Sequence, residues 1–261
     1  MELPSFRRWG AASFPMGAAV AGIVVFDLNT YAVLGTLAAQ PDADGITFDE
    51  ASCLVLVVSG DKHSFMSFKP DIDPRSGKID PPIDGGGSPE FLATDGAGRA
   101  YVNVMDKDLV AVLDLRARKV VARWPVKPGG APIGMAIDRK NHLLVIGCRK
   151  PQRMVVMSLD GGRVISDLPI GEGVDATAFN NGEAFSSSRD GSLAVAAATS
   201  AGAFAIKQVL KTGVGARTMG VDPRTEHIYL PAAEFEDQPA GATGRPKAKP
   251  GSFKIVVAAR H

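Results

Sequence analysis

The stretch that decides the fold is "GVGARTMGVDPRTEHIYLP", residues 213–231. It reads as a glycine-rich loop, a short apolar strand, an Asp-Pro turn at 222 and 223, and a second strand that ends at a proline. The same order occurs four more times, and the residues that stand where Asp222 does are Asp49, Asp95, Asp138 and Asn180. The steps from each of the five to the next are 46, 43, 42 and 42 residues. A period near that length, with several short strands in each unit, is typical of the blades of a propeller.

Each copy predicts a short antiparallel meander. A second strand follows each turn, and the segments predicted for it are "CLVLVV", "RAYVNV", "HLLVIG", "EAFSSS" and "HIYLPA". Val-rich third strands are predicted at 22–28, 109–115, 153–159 and 253–259, and fourth strands at "AVLGTL", "KVVARWPV" and "RVISDLPI". No stretch of a dozen residues shows helical periodicity. The sequence therefore predicts an all-β chain, a β-propeller of four-stranded antiparallel blades.

Composition excludes several classes of function. The 261 residues include 29 basic and 28 acidic side chains, so a nucleic acid is not expected as a partner. No apolar run reaches the ~20 residues that cross a bilayer, so no membrane span is predicted. The two cysteines, Cys53 and Cys148, have neither zinc-binding nor disulfide-framework spacing and are expected to be small buried side chains.

The start of the chain and one insertion interrupt the repeat. Residues 1–21 read as a leader-like segment or a degenerate strand, because Arg7 and Arg8 precede a mildly apolar stretch that runs into the first clear strand. Residues 22–261 are predicted to form a single β-propeller domain. Residues 234–252, "EFEDQPAGATGRPKAKPGS", separate the second and third strands of the last copy and predict an inserted loop.

One position of the repeat carries the most informative side chains. Five residues before each terminal Asp or Asn stand Asp44, Glu90, Ile133, Asp175 and Arg217. The inner strands of a propeller surround its axis, so these side chains are expected at one mouth of the central channel, where ligands commonly bind. Two carboxylates about 8 Å apart repel by about 2 kcal/mol at an effective dielectric of about 20, which requires a counter-charge. Either Arg217 or a bound cation can supply it.

The residues predicted to bind a ligand are therefore Asp44, Glu90, Asp175 and Arg217, and a solvated channel mouth is the alternative. A divalent cation such as Ca²⁺ is left open, because carboxylate oxygens suit a hard cation, although blade geometry sets their spacing. No catalytic residue is predicted: the sequence has no GxSxG elbow and no histidine spacing for a metal. The glycine-rich loops are not followed by helices, which excludes a P-loop.

The aligned copies resemble the YVTN-type, or YncE-like, seven-bladed β-propeller proteins of bacteria. The stretches that carry the resemblance are "VVFDLNTYAVLGTL", "GSPEFLATDGAGRAYVNVMDKDLVAVLDLRARKVVARWPV", "GVDATAFN" with "AFSSSRDGSLAV", and "GARTMGVDPRTEHIYLPAAEFE". The resemblance covers nearly everything from Gly22 onward. It implies a periplasmic or secreted repeat protein that binds a partner and has no established reaction.

The number of copies departs from that family. Five clear repeats plus partial terminal strands predict about six blades, or an incomplete seven-bladed ring shortened at its N-terminus. The last copy ends on a third strand, "SFKIVVAARH". Either the N-terminal strands close the ring, or an open blade edge makes self-association possible.

These observations favour a non-enzymatic scaffold that binds a protein, a peptide or a small polar ligand at the channel mouth. The alternative is a cation-dependent hydrolase of the lactonase type that uses the mouth carboxylates. A remnant of the quinoprotein and haem-dehydrogenase propellers would need a cofactor that the sequence has no means of holding. A third hypothesis is a truncated reading frame whose product associates through its open edge.

Overall fold

The structure is a computed structural model that describes residues 9–14, 22–237 and 247–259. The chain divides into two compact units, Met1–Val126 and Lys127–His261. In the part that is described, each unit contains three antiparallel sheets. The one described helical element is a turn of 3₁₀ helix at Met105–Lys107.

The first unit contains three sheets that follow one another along the chain. The first sheet consists of β1 (Trp9–Phe14), β2 (Gly22–Asp27) and β3 (Val33–Ala38). The second consists of β4 (Ala43–Asp49), β5 (Leu54–Ser59), β6 (Ser64–Phe68) and β7 (Ile83–Asp84). The third consists of β8 (Pro89–Thr94), β9 (Arg99–Val104), β10 (Leu109–Asp114) and β11 (Lys119–Pro125).

The second unit repeats this organisation. The fourth sheet consists of β12 (Pro132–Asp138), β13 (Leu143–Arg149), β14 (Gln152–Ser158) and β15 (Val164–Pro169). The fifth consists of β16 (Val174–Asn180), β17 (Glu183–Ser188), β18 (Ser192–Ala198) and β19 (Phe204–Lys211). The sixth consists of β20 (Gly220–Val221), β21 (Ile228–Ala232) and β22 (Lys254–Ala258).

Neighbouring sheets within each unit are joined by apolar cores. Successive side chains of a strand point to opposite faces, so a Val-rich strand can pack against a sheet on either side. In the second unit, Met154 and Val156 of the fourth sheet pack with Ala184 and Ala194 of the fifth. Local meanders that stack face to face are the blades of a propeller. The predicted fold class, an all-β propeller of four-stranded antiparallel blades, is confirmed.

The acidic residue that defines the repeat ends the first strand and builds the turn that follows. Asp95 Oδ1 accepts the backbone N–H of Ala97 at 2.8 Å, and Asp222 Oδ1 accepts that of Arg224 at 2.9 Å. The bond from Arg224 holds the pKa of the Asp222 carboxyl below its usual value. These are Asx turns, in which a short polar side chain bonds the backbone two residues later. The turn chemistry read from the sequence is confirmed.

Two of the third strands were not predicted from the sequence. β6 has the sequence "SFMSF", and β18 has the sequence "SLAVAAA", so neither shows the Val-rich pattern of the other third strands. β1 lies within the segment 1–21 and pairs antiparallel with β2. The division into a segment 1–21 and a domain 22–261 stays a prediction.

The two cysteines have different environments. Cys148 is buried, as predicted, whereas Cys53 is exposed. Cys53 occupies the turn between β4 and β5 with a positive φ of 54°, a conformation of tight surface turns. The prediction of burial is therefore wrong for Cys53.

The inserted loop 234–252 is described only at its two ends, because residues 238–246 lie outside the described residues. Phe235 and Ala248 form an isolated antiparallel bridge across its base. In the described parts of the chain, no helix is long and apolar enough to cross a bilayer.

Candidate functional site

Four of the predicted mouth residues stand at one structural position. Asp44, Glu90, Ile133 and Asp175 are each the second residue of the first strand in their sheets. In all four strands the ladder with the second strand changes register at this point. Such an irregularity breaks the pleat and re-aims a side chain. The equivalence inferred from the repeat is confirmed for these four residues, and their role in binding stays a prediction.

The exposure of these side chains differs from one sheet to the next. In the first unit, Asp44 is exposed and Glu90 is half-buried. In the second unit, Asp175 is half-buried, whereas Ile133 is buried in the core. The expectation that every residue at this position lines an open mouth is therefore wrong for Ile133, because burial of an apolar side chain outweighs the geometry of the repeat.

Hydrogen bonds to its backbone carbonyl hold Arg217 in position. It precedes the short strand β20, and its carbonyl oxygen accepts the N–H of Ala176 at 3.2 Å and the hydroxyl of Ser187. These bonds join the loop before β20 to the first two strands of the fifth sheet. Ser187 is fully buried and donates to this carbonyl, so its hydroxyl helps to hold the backbone of Arg217 in place.

Asp175 lies between two guanidinium groups. Its Oδ1 accepts a hydrogen bond from Arg149 Nη2 at 2.6 Å, and its Oδ2 lies 3.6 Å from Arg217 Nε. Arg149 also donates from Nε to the carbonyl oxygen of Val174 at 2.8 Å. The carboxylate is therefore oriented by the fourth sheet on one side and by the loop before β20 on the other. We call Arg149, Asp175 and Arg217 the arginine–aspartate cluster.

Arg149 was not among the predicted site residues, although the repeat carries a signal for it. It directly follows Cys148, the ladder partner of Pro132 at the start of the first strand. In the fifth sheet the same place, directly after Ser188, belongs to Arg189. A basic residue thus stands at this place in both the fourth and the fifth sheet, and in the fourth it reaches Asp175 of the next first strand.

A second group of residues missed from the sequence fixes the loops that lead into the first strands. Asp190 Oδ2 accepts the N–H of Glu172 at 2.8 Å, and its Oδ1 accepts the hydroxyl and N–H of Ser192 at 2.6 and 3.0 Å. In the third sheet, Asp106 Oδ1 likewise accepts the N–H of Ser88 at 2.6 Å. Both aspartates stand two residues after the second strand. They tie the loops that carry Asp175 and Glu90 to the body of the sheet.

The bonds to Asp190 lower the pKa of its carboxyl. Burial alone would raise it, but the Ser192 hydroxyl and the backbone N–H groups of Glu172 and Ser192 outweigh burial. A carboxyl whose pKa is lower in the folded state stabilises the fold above its unfolded pKa, and this stability is lost as pH falls through the folded pKa.

We therefore expect Asp190→Asn to flatten the pH dependence of stability. Between about pH 5 and pH 2, the thermal midpoint of the wild type should fall further than that of the variant. Asp61→Asn is the matched control, because Asp61 stands at the same place in the second sheet and accepts no hydrogen bond from the described residues. Equal pH slopes in the wild type and Asp190→Asn would contradict the prediction.

The described residues contain no ready-made set of metal ligands. Within the ranges 22–237 and 247–259, no three His, Cys, Asp or Glu side chains group closely enough to hold an ion. A hard cation such as Ca²⁺ takes six to eight oxygen ligands.

Comparison with known proteins identifies the fold of the chain but does not assign it to a family. No protein-family model matches the chain, and no curated protein sequence is significantly similar to it. Among the solved structures, 1261 chains match, so the architecture is widely shared.

Three of these solved structures illustrate the likeness. Hydrazine synthase of Kuenenia stuttgartiensis is 14% identical with a TM-score of 0.64, over 80% of this chain and 67% of that one. A chain of the mitotic checkpoint complex is 13% identical with a TM-score of 0.72, over 85% and 69%. A functionally unknown protein of Desulfotomaculum acetoxidans is 9% identical with a TM-score of 0.68, over 85% and 74%. At these identities the likeness shows the fold alone, and the chain is a β-propeller protein.

Proposed function

We propose that the chain is a non-enzymatic β-propeller scaffold that binds a small polar ligand, or a polar segment of a peptide or protein, at the starts of its first strands. The residues assigned to binding are Asp44, Glu90, Asp175 and Arg217. The observation that carries the proposal is the arginine–aspartate cluster of the second unit. It joins three charged side chains, of which Asp175 stands at the position that the repeat makes equivalent from sheet to sheet.

The cluster favours an anionic group as ligand. Its two guanidinium groups outnumber its one carboxylate, so its net charge is positive. Arg149 is committed to Asp175 and to the carbonyl of Val174, whereas Arg217 is half-exposed and makes one long contact at 3.6 Å. A guanidinium presents five N–H donors in a planar fork that matches a carboxylate or a phosphate. Arg217 therefore has donors left for a ligand while Asp175 holds it in place.

The first unit offers the opposite charge. Asp44 is exposed and Glu90 is half-buried, and both stand at the position that Asp175 occupies in the fifth sheet. Carboxylates in this position suit an ammonium or a hydroxyl group of a ligand. A polar ligand class follows for both units, and neither requires a cofactor.

We also propose that the chain is related to the YVTN-type or YncE-like proteins and that it is exported to the periplasm or the outside of the cell. Both proposals rest on the sequence motifs. The repeated order of strands and Asx turns in the described sheets supports the assignment. Fractionation of cells that express the tagged protein tests its location. Recovery in the cytoplasmic fraction alone would contradict export.

A cation-dependent hydrolase is not favoured by any observation. That chemistry requires a metal ion that activates water and a nearby base. The described residues offer no group of three ligands for such an ion. The scaffold function is therefore the one that the geometry supports best.

Replacement of Arg217 tests the proposed site. Isothermal titration with succinate and with inorganic phosphate should show saturable binding to the wild type. Arg217→Ala should weaken it at least about tenfold, because a hydrogen bond to a charged group contributes about 1.5–3 kcal/mol.

The matched control for this experiment is Arg224→Ala. Arg224 is almost fully exposed, lies 3.6 Å from Asp222 and makes no contact with the cluster in the described structure. The control removes the same charge, so it corrects for net electrostatics. Absence of binding to the wild type, or an equal loss in the two arginine variants, would overturn the proposal.

A further inference from the structure

An exposed aromatic ring lies beside the loop that leads to Arg217. Phe235 follows β21 at the base of the inserted loop, where its backbone forms the bridge with Ala248, and its side chain is 48% exposed. A Cβ atom at Gly215 would lie 3.7 Å from Phe235 Cε2, which is van der Waals contact. Because glycine has no side chain, the edge of the ring that faces Gly215 stays uncovered. Phe235 therefore offers apolar area to a ligand at this loop.

The backbone of Gly215 joins this ring to two arginines. Its carbonyl oxygen accepts the N–H of Arg217 at 2.9 Å, and its N–H donates to the carbonyl oxygen of Arg189 at 2.8 Å. Phe235, Arg189 and Arg217 all belong to the second unit. The turn at Gly215 in the loop before β20 therefore brings an aromatic ring close to two arginine residues.

The side chain of Arg189 has no partner among the described residues. It is exposed and forms neither an ion pair nor a hydrogen bond with them. Its stem lies along the loop before β16, because a Cβ atom at Gly173 would lie 2.8 Å from Arg189 Cβ and 3.6 Å from its Cδ. Gly173 stands two residues before Asp175, the residue that contacts Arg217. Arg189 therefore adds a third guanidinium beside the arginine–aspartate cluster, with its five N–H donors uncommitted.

The acidic side chains near this turn do not supply the missing partners. Some are already engaged, either in the hydrogen bonds described above or with Lys249, and others are exposed, so that water and salt screen their charge. The engaged ones are Asp175, Asp190 and Glu234, and the exposed ones are Glu172 and Glu236. The donors of Arg189 and the remaining donors of Arg217 are therefore left for a ligand.

We infer that the ligand of this site is an aromatic anion, whose charged group binds Arg217 and Arg189 while its ring packs on Phe235. This inference rests on the proposed function, because it adds a second contact to the anion site already assigned. A guanidinium matches a carboxylate or a phosphate equally well in shape, so the class includes aromatic carboxylates and aryl phosphates. A ring on Phe235 gains from burial of apolar area and from the preferred geometries of aromatic pairs.

Pairs of ligands that differ only in the ring test the inference. Isothermal titration of the full chain with 3-phenylpropionate and propionate, and with phenyl phosphate and inorganic phosphate, measures the contribution of the ring to affinity. In at least one pair the ring should lower the dissociation constant at least about fivefold. The pair that shows the larger effect identifies the anionic group.

Phe235→Ala should remove this advantage. The ringed ligand should then bind no better than its ringless match, and the ringless ligand should bind as it does to the wild type. Tyr229→Ala is the matched control, because Tyr229 is a partly exposed aromatic residue of the same sheet whose ring contacts His227, next to the turn between β20 and β21. Circular dichroism spectra should show that both variants fold. Equal losses in the two variants would overturn the inference.

Arg189→Ala should weaken both members of a pair at least about threefold, because it removes donors to the anionic group and leaves the ring contact in place. Arg224→Ala again corrects for net charge. If Arg189→Ala had no larger effect than Arg224→Ala, the assignment of Arg189 to the site would be overturned.

The sign of the charge is tested with 3-phenylpropylamine, which carries the same ring on a positive group and should bind more weakly than 3-phenylpropionate. Tighter binding of the amine would show that Glu172 or Glu236 selects the ligand, and would overturn the inference. If the anions bind but the ring gives no advantage, the inference fails while the proposed function stands. If no anion binds to the wild type, both fail.

Discussion

Replacement of Gly134 by alanine is expected to destabilise the protein by about 3 kcal/mol. A Cβ atom at Gly134 would lie 2.5 Å from Thr177 Oγ1, 2.7 Å from Thr177 N and 2.9 Å from the carbonyl carbon of Ala176. Two of these atoms belong to the backbone of β16, so a change of rotamer cannot relieve the clash. The neighbouring first strands β12 and β16 would have to separate.

The matched control is Gly220→Ala. Gly220 also lies in the first strand of a sheet, but a Cβ atom there would have no neighbour within 4 Å. We expect its free energy of unfolding to stay within about 0.5 kcal/mol of the wild type. Urea denaturation of both variants measures the difference. If Gly134→Ala were as stable as the control, the close approach of the two strands would be contradicted.

Glycines that directly follow the predicted mouth residues also affect the candidate site. Gly134 follows Ile133, and Gly45 follows Asp44, so both glycines stand directly after the predicted mouth position. At Gly45 a Cβ atom would lie 2.8 Å from the carbonyl oxygen of Glu90. The absence of a side chain lets neighbouring first strands approach one another within each unit. It therefore helps to place Asp175 and Glu90.

Replacement of Arg149 by methionine is expected to cost about 1.5–3 kcal/mol of stability. The variant keeps much of the apolar stem but removes the donors to Asp175 Oδ1 and to the carbonyl of Val174. The side chains of Asp175 and Arg149 are 19% and 32% exposed, so water screens the pair only in part. Loss of the guanidinium leaves both acceptors with fewer partners in a mostly buried position.

Arg153→Met provides the comparison, because Arg153 Nε lies 3.8 Å from Asp167 Oδ2 in the same sheet and both side chains are more exposed. An exposed pair of this kind contributes about 0–1 kcal/mol. A double-mutant cycle of Arg149→Met with Asp175→Asn isolates the coupling between the two side chains. A coupling indistinguishable from that of the Arg153 and Asp167 pair would contradict the role assigned to Arg149.

The strand pattern was readable from the sequence because each sheet is a local meander. Turn residues and Val-rich segments repeat at a nearly constant spacing, so Asp95 and Asp222 could be aligned without any structure. The alignment also placed Asp44, Glu90 and Asp175 at equivalent positions. It could not foresee that Ile133 is buried, because burial depends on the packing of the neighbouring strands.

The arginine–aspartate cluster was only partly readable because its contacts cross between sheets. Arg149 and Asp175 are 26 residues apart in the chain and meet through the stacking of the fourth sheet on the fifth. The bond from the Glu172 N–H to Asp190 was not readable either, because it depends on how the preceding loop folds back. Contacts of this kind are set by packing, and a repeat shows only that a residue type recurs.

The measurement that tests the central claim most directly is an NMR titration of protein labelled with ¹⁵N-arginine, with succinate as ligand. The account predicts that the side-chain Nε–H signals of Arg217 and Arg149 shift together and saturate with a single dissociation constant, while that of Arg224 stays in place. Signals that do not move, or that drift in all arginines without saturation, would contradict a ligand site built on the arginine–aspartate cluster.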